Sequence, residues 1–250
     1  MGSIVTFAVE KGPRSYQEDR HLHIKVVGES GPHGKLLAVM DGHGGKEVSE
    51  FCEKEIKNVF QLSRPEQAEA ALKDLVAWLS LRTAHFHEGS TISLALITDV
   101  PRKVSIAVLG DSPVVVYDKQ GKLHTSPEHN VRSNIEERKA AEQRGGIYGG
   151  GYIWNDLGDL GQGLQMGRAL GDARLGNILS REPDVYTIAE PLWVLVASDG
   201  LFDPGHSNTD ALVEEIRKYA ERNANADELM KWAERRGLQD NATALVWYPG

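Results

Sequence analysis

The chain carries a single cysteine, Cys52, among 250 residues. One thiol closes no intrachain disulfide, so packing alone must hold the fold, and a reducing, intracellular (cytoplasmic) setting is the expectation. No apolar run approaches the ~20 residues of a membrane-crossing helix, and a charged n-region followed by an apolar h-region is missing, so neither a span nor a secretory signal is expected. Positive charge is also short: 28 Lys and Arg stand against 36 Asp and Glu, leaving a formal charge of −8. Nucleic acid, whose footprint on a protein is a basic patch, is not an expected partner. An acidic protein repels phosphate-rich partners unless the sign is reversed locally, and bound cations do that. Internal repeats and linker-like shifts of composition are absent as well. The length suits one sizeable core, so residues 1–250 read as a single domain, expected to be monomeric. The opening "MGSIVT" fits the loose N-myristoylation pattern through Gly2 and Thr6, and a first strand explains it equally well.

What the chain does contain is apolar alternation broken by turns. "SIVTFAV", "HLHIKVV" and "KLLAVM" read as three strands. "KEVSEFCEKEIKNVFQL" sets Val48, Phe51, Cys52, Val59 and Phe60 at helical spacing, with Cys52 as a small buried hydrophobe. "PEQAEAALKDLVAWLSL" opens a second helix near Pro65, with Ala68, Leu72, Leu75, Val76 and Leu79 on one side. "TISLALIT", "KVSIAVLG", "PVVVYD" and "KLHT" form a β-rich block, in which "DKQG" is a hairpin turn with Gly121 free to take a positive φ. A short helix over 133–144 is stopped by Gly145 and Gly146. From 145 to 163 the chain is glycine-rich without a period and reads as an irregular flap, within a wider segment around 126–165. "LWVLVAS" is a buried strand, and "TDALVEEIRKYAERN" and "ADELMKWAERR" are amphipathic helices. The second has Asn225 and Glu228 as a capping box, and "ATALVWY" closes the chain as a strand. Helices come in pairs rather than alternating with strands. The expected class is therefore α+β, with antiparallel sheets covered by helices, and not a doubly wound parallel sheet.

Carboxylates gather where the apolar runs stop: Glu18, Asp19, Asp41, Asp111, Asp199, Asp203 and Asp240. If the strands share a sheet, these ends converge. Bare carboxylates in close array raise one another's pKa values and persist only when protonated or when cations sit among them. Oxygen ligands with waters suit Mg²⁺ or Mn²⁺, whereas one cysteine and histidines without zinc-like spacing argue against zinc. Arg14 in "RSYQEDR" is placed to fork onto a phosphate or to pair with Glu18, and His43 in "VMDGHGG" is an imidazole beside an acidic turn, suited to proton donation.

"RSYQEDR", "VMDGHGG", "GSTISLALI", "VLGDSPVVVY", "HTSPEHN", "EQRGG", "MGRALGD", "EPDV", "VASDGLFD" and "QDNATALV" follow one another in an order that resembles the metal-dependent (PPM, type 2C) serine/threonine protein phosphatases. The resemblance runs from Arg14 to Val246. It implies a central β-sandwich of two antiparallel sheets flanked by helix pairs, with a two-metal centre, Mg²⁺ or Mn²⁺, at one end. It implies that Asp41 bridges both ions with the Gly42 carbonyl beside it, that Asp199 and Asp240 ligate one ion, and that Glu18 holds the other mainly through water. Asp111 with Asp199 would support a third ion, and Asp19 and Asp203 would orient metal-bound waters. Arg14 would grip the phosphate of a phosphoprotein substrate, and His43 would protonate the leaving oxygen. The chain departs from the family pattern at Gln17, where Asn is usual, at Pro113, where Arg is common, and at Glu128, where Asp is usual.

Two other readings compete. A phosphatase-like fold that only binds a partner is one, although such relatives usually lose metal carboxylates and all those expected are present here. A serine esterase using Ser112 with the D-x-x-H pair Asp203 and His206 is the other; its "GDS" would be expected after the first strand rather than in mid-chain.

Overall fold

A computed structural model describes residues 2–28, 31–62, 64–156, 163–202 and 209–250. In chain order the elements are β1 (Ile4–Glu10), β2 (Arg20–Gly28), β3 (Gly31–Met40), β4 (Gly42–His43), α1 (Glu47–Val59), α2 (Ala68–Thr83), β5 (Gly89–Ser90), β6 (Ile92–Asp99), β7 (Arg102–Leu109), β8 (Val114–Asp118) and β9 (Leu123–Thr125). There follow α3 (Ile135–Gln143), β10 (Ile147–Gly149), β11 (Tyr152–Trp154), β12 (Leu170–Gly171), β13 (Asp184–Ala189), β14 (Pro191–Ala197), α4 (Thr209–Ala220), α5 (Ala226–Arg236) and β15 (Ala242–Tyr248).

Strand alternation builds the layers. In β3, Leu37 and Val39 face an inter-sheet core shared with Val194 and Val196 of β14 and with Leu245 and Trp247 of β15. The intervening Leu36, Ala38 and Met40 turn the other way, onto Val48, Cys52 and Ile56 of α1 and Leu72, Val76 and Leu79 of α2. On the opposite sheet Trp193, Leu195 and Ala197 meet Ile216 of α4 and Leu229 and Trp232 of α5. Period-two strands with both faces apolar thus give four layers, helix pair, sheet, sheet, helix pair. The sheets are antiparallel, in the orders β1-β15-β14-β8-β9 and β13-β7-β6-β3-β2. This is the α+β sandwich that the sequence predicts.

The strand order decides what lies at each end. β6 runs antiparallel to both β3 and β7, so the carboxyl ends of β3 and β7 share one edge, which the start of β2 joins through the Arg20–Met40 pairing. In the other sheet, the Ala197–Ala244 pairing sets the end of β14 beside the start of β15, and Glu10–Ala242 adds the end of β1. Asp19, Asp41, Asp111, Asp199 and Asp240 all sit just beyond these ends.

The structure also departs from the sequence reading. Ile56, not Val59, completes the buried stripe of α1, because 48, 52 and 56 repeat every four residues, whereas Val59 is 39% exposed at the helix end. Residues 145–163 are not irregular throughout: β10 and β11 pair as a hairpin that packs Ile153 with Val131, Ala141 and Ile178. Residues 157–162 of that segment lie outside the described residues. β13 escapes the sequence reading because it is an edge strand, largely half-exposed. The turn after β8 and the capping box of α5 form as expected, with Gly121 at φ 78° and Asn225 exchanging bonds with Glu228.

Candidate metal centre

Asp41 leaves β3 and is tied to the strand next door: its N–H donates to Thr91 Oγ1 at 3.1 Å, and Thr91 N–H donates to its carbonyl at 2.9 Å. Glycine follows because a side chain at position 42 would press on the Glu18 carbonyl and Ser49 Oγ. Gly200 after Asp199 has the same reason, since a Cβ there would run into the Asn241 carbonyl. Both Asp-Gly pairs therefore mark close backbone packing beneath an acid.

Asp19 is 3% exposed and joins the two sheets. Its Oδ2 accepts from Ser198 Oγ and Thr243 Oγ1, each at 2.7 Å, while its Oδ1 meets no hydrogen-bond donor among the described residues. Burial, only partly offset by those two hydroxyls, pushes its carboxyl up to about 6. Asp41 is driven well above the usual carboxylate range, first by burial and then by the charges of Asp19, Asp199, Asp111 and Asp240. Burial likewise raises Asp240, with Asp199 adding to it and Arg14 opposing. Glu18 is raised by burial, with Arg14 and His43 opposing and Asp240 and Glu88 reinforcing. Charges that act on one another in this way occupy one neighbourhood.

Arg14 pairs with Asp240, not with Glu18: its guanidinium donates to Asp240 Oδ2 at 2.5 Å from an exposed position. Asp240 Oδ1 accepts the N–H of Asn241 at 2.7 Å. Asn130 Nδ2 donates to Asp111 Oδ2 at 2.9 Å. His43 Nε2 lies 2.8 Å from Asp172 Oδ2. Burial alone would lower the His43 pKa, but the charge and hydrogen bond of Asp172, with Asp111 and Glu18, outweigh it and raise it.

The fold thus brings Arg14, Glu18, Asp19, Asp41, Gly42, His43, Asp111, Asp199 and Asp240 to one end of the sandwich; Asp203 and His206 lie outside the described residues. Among the described residues no three His, Cys, Asp or Glu side chains form a ready-made single-ion cage. Such a cage is not what Mg²⁺ or Mn²⁺ needs, since these ions keep several waters and take one or two carboxylates each. A crowded set of carboxylates, one with a buried oxygen lacking a donor, suits hydrated cations. Ser112 is fully buried with Oγ 2.7 Å from Thr91 Oγ1, which leaves no exposed hydroxyl for an esterase.

Of the three family departures, Gln17 is accommodated through its own side chain, while the bonds at Pro113 and Glu128 run through their backbone carbonyls. Gln17 Oε1 accepts Asp19 N–H at 3.0 Å while its Nε2 reaches the Glu10 carbonyl at 3.2 Å. The Pro113 carbonyl accepts Ala197 N–H, and the Glu128 carbonyl accepts from Asn134 Nδ2. Sequence reasoning missed Asp172, Asn130 and Asn241. All three lie inside the quoted motifs "MGRALGD", "HTSPEHN" and "QDNATALV", which was the available signal.

The family model described as protein phosphatase 2C matches residues 5–242. Two rice relatives are a probable protein phosphatase 2C 59, 28% identical over 251 residues, and a probable protein phosphatase 2C 41, 31% identical over 246 residues. The alignments cover 96% and 92% of this chain and 74% and 81% of those proteins. A solved phosphatase from Toxoplasma gondii shares the fold at a TM-score of 0.77 with 18% identity, over 99% of this chain and 93% of that one. With the motifs in order and the acids gathered at one end of the sandwich, the chain belongs to the protein phosphatase 2C family: it is a protein serine/threonine phosphatase, in a family that is metal-dependent in general.

Proposed function

We propose that the chain hydrolyses phosphoserine and phosphothreonine esters on protein substrates at the acidic end of the sandwich, with Mg²⁺ or Mn²⁺ as cofactor. The observation that carries this reading is the mutual crowding of Asp41 with Asp19, Asp111, Asp199 and Asp240, which cations relieve. Asp41, the Gly42 carbonyl, Asp199, Asp240 and Glu18 would hold the ions, with Asp111 and Asp199 available to a further one. When bound, the cations neutralise these carboxylates, make water nucleophilic near neutral pH and stabilise charge on the phosphoryl group.

The chain's own groups supply the rest. Arg14 already donates to a carboxylate oxygen from an exposed position, and a phosphoryl oxygen offers the same acceptor chemistry to its planar fork. Asp19, fixed by Ser198 and Thr243, keeps one oxygen to accept from a water. His43 gives a proton to the departing serine or threonine oxygen. Attack by water needs no phosphoenzyme, which agrees with the burial of Ser112 and Cys52.

The test is hydrolysis of a small phosphopeptide panel with Mn²⁺ or Mg²⁺, with and without EDTA, for the wild type, Asp41→Asn and Asp199→Asn. Turnover should require metal and vanish in both variants. Near-wild-type activity in both would overturn the assignment, and a chain that binds Mn²⁺ yet hydrolyses neither phosphopeptide nor p-nitrophenyl phosphate would be a binding module instead.

A further inference from the structure

Thr91 stands where β5 passes into β6, between two turns that carry acids. One is the turn of Asp41, whose N–H donates to Thr91 Oγ1 at 3.1 Å and whose carbonyl accepts Thr91 N–H at 2.9 Å. The other joins β7 to β8 and carries Asp111 and Ser112. Thr91 Oγ1 lies 2.7 Å from Ser112 Oγ. Both side chains are buried, Thr91 at 1% exposure and Ser112 at 0%. One hydroxyl contact thus joins the backbone that presents Asp41 to the backbone that presents Asp111.

The same stretch of chain grips the second turn again. Residues 91 and 93 share a face by the two-residue period of an extended chain, and Ser93 Oγ donates to the Ser112 carbonyl. Gly110, at φ 120°, allows this approach, because a Cβ there would press on Thr91. The segment after β9 holds the turn as well. His129 N–H donates to the Gly110 carbonyl at 3.1 Å, and Gly110 N–H donates to His129 Nδ1 at 3.0 Å. Asn130 Nδ2 donates to Asp111 Oδ2 at 2.9 Å. The Asp111 turn is therefore clamped by two segments, and the Thr91–Ser112 contact carries that clamp across to Asp41.

We propose that Thr91 and Ser112 are positioning residues for the cations: their hydroxyl pair fixes the separation of the Asp41 and Asp111 turns and so sets the affinity of the acidic end for Mn²⁺ or Mg²⁺. The proposal rests on the phosphatase reading above for its choice of ion-holding acids. Buried as they are, the hydroxyls act through the turns and not on substrate. Removing either one leaves buried polar groups unpaired, and the turns shift to satisfy them. Groups behind a metal ligand fix its direction, and losing one typically costs about 10- to 100-fold in metal affinity.

The test compares the wild type with Ser112→Ala, Thr91→Val and Thr91→Ser, each checked in EDTA for an intact melting transition. Thr91→Val keeps the shape and removes the hydroxyl, whereas Thr91→Ser keeps the hydroxyl. Should Thr91→Val fail to fold, Ser112→Ala carries the comparison. Calorimetric titration with Mn²⁺, without substrate, should show about 10- to 100-fold weaker binding in Ser112→Ala and Thr91→Val, and near wild-type binding in Thr91→Ser. The double variant Thr91→Val/Ser112→Ala should bind no worse than Thr91→Val, because one contact is lost only once. In ¹⁵N–¹H spectra of the metal-free chain, the Asp41 amide should shift and exchange faster in Ser112→Ala, although its own acceptor, Thr91, is intact. On a phosphoserine peptide, the Mn²⁺ concentration for half-maximal rate should rise by the same factor, while kcat at saturating Mn²⁺ and peptide KM stay near wild type. Unchanged Mn²⁺ affinity in Ser112→Ala, additive losses in the double variant, or an unmoved Asp41 amide overturns the proposal. A wild type that binds Mn²⁺ yet hydrolyses neither the peptide nor p-nitrophenyl phosphate defeats the phosphatase reading and leaves the calorimetric test of the hydroxyl pair standing. A wild type that binds neither Mn²⁺ nor Mg²⁺ overturns both.

Discussion

The backbone N–H of Glu18 donates to Asn241 Oδ1 at 2.8 Å, joining residues 223 positions apart. The same amide sends its Nδ2 to the carbonyls of Lys11 at 2.8 Å and Tyr16 at 3.0 Å. One buried side chain therefore ties the loop carrying Arg14 and Glu18 to the strand start carrying Asp240. Asn241→Ala should remove three hydrogen bonds, at roughly 1 kcal/mol each, and leave backbone groups without partners. The expected result is a lower urea midpoint and weaker Mn²⁺ binding by calorimetry. An unchanged midpoint would show that the loop is held by other means.

The crowded carboxylates are a source of instability in the absence of cations. Asp41→Asn removes one charge from the group that also holds Asp19, Asp111, Asp199 and Asp240. In EDTA the variant should melt higher than the wild type. Added Mg²⁺ or Mn²⁺ should raise the wild-type transition, by about 2.7 kcal/mol at 100 times Kd, and leave the variant's nearly still. A scanning calorimeter measures both, and equal metal-induced shifts in the two proteins would contradict the placement of the ions around Asp41.

Arg168 joins the α3 segment to the sandwich. Its guanidinium donates to Glu137 of α3, with an NH2–Oε1 distance of 2.5 Å, and to Asp184 of β13 at 3.2 Å. Glu137 is 8% exposed, so Arg168→Ala strands a buried carboxylate and should cost roughly 3 kcal/mol. Hydrogen exchange should quicken in α3 and the β10–β11 hairpin before it does in the sheets. The double variant Arg168→Met/Glu137→Leu should regain most of the loss, and no recovery would mean the damage lies elsewhere.

Asp118 closes the β8–β9 turn. Its Oδ1 accepts the N–H groups of Gln120 and Lys122 at 2.9 Å each, and its Oδ2 faces His124 Nε2 at 2.7 Å. Burial opposes ionisation, but those bonds and the His124 charge together hold its pKa below the ordinary value. A depressed folded pKa makes the contribution fully present above the unfolded value, near 3.9, and lost as pH falls through the folded one. Asp118→Ala should therefore cost roughly 2 kcal/mol at pH 7, with the gap to wild type closing below about pH 4. A gap that stays constant down to pH 3 would exclude the carboxylate as its source.

Much of this was legible along the chain. The strands β3, β14 and β15 announce themselves by alternation on two apolar faces, and α5 by Asn225 and Glu228 at its start. The acids stand out because Asp is a poor strand residue and Asp19, Asp41, Asp111, Asp199 and Asp240 each fall just outside one end of a strand. What escaped reading acts across space. β4, β5 and β12 are two residues long, too short for any period, yet they carry the pairing of His43 with Asp172. Asn130 and Asn241 are ordinary turn residues in a local reading and become braces for Asp111 and Glu18 only in the fold. The ion pair of Arg14 with Asp240 lay beyond a local reading for the same reason, since the two residues meet only in the fold.

Element types, their buried faces and the identity of the acids follow from local chemistry, because alternation, capping and turn preferences act over a few residues. Which acids meet, and which group each one faces, is settled by sheet order and register. Those depend on how two apolar faces stack and how distant strands pair, and a one-residue slip in either would turn Asp41 away from Asp199 without altering any local pattern.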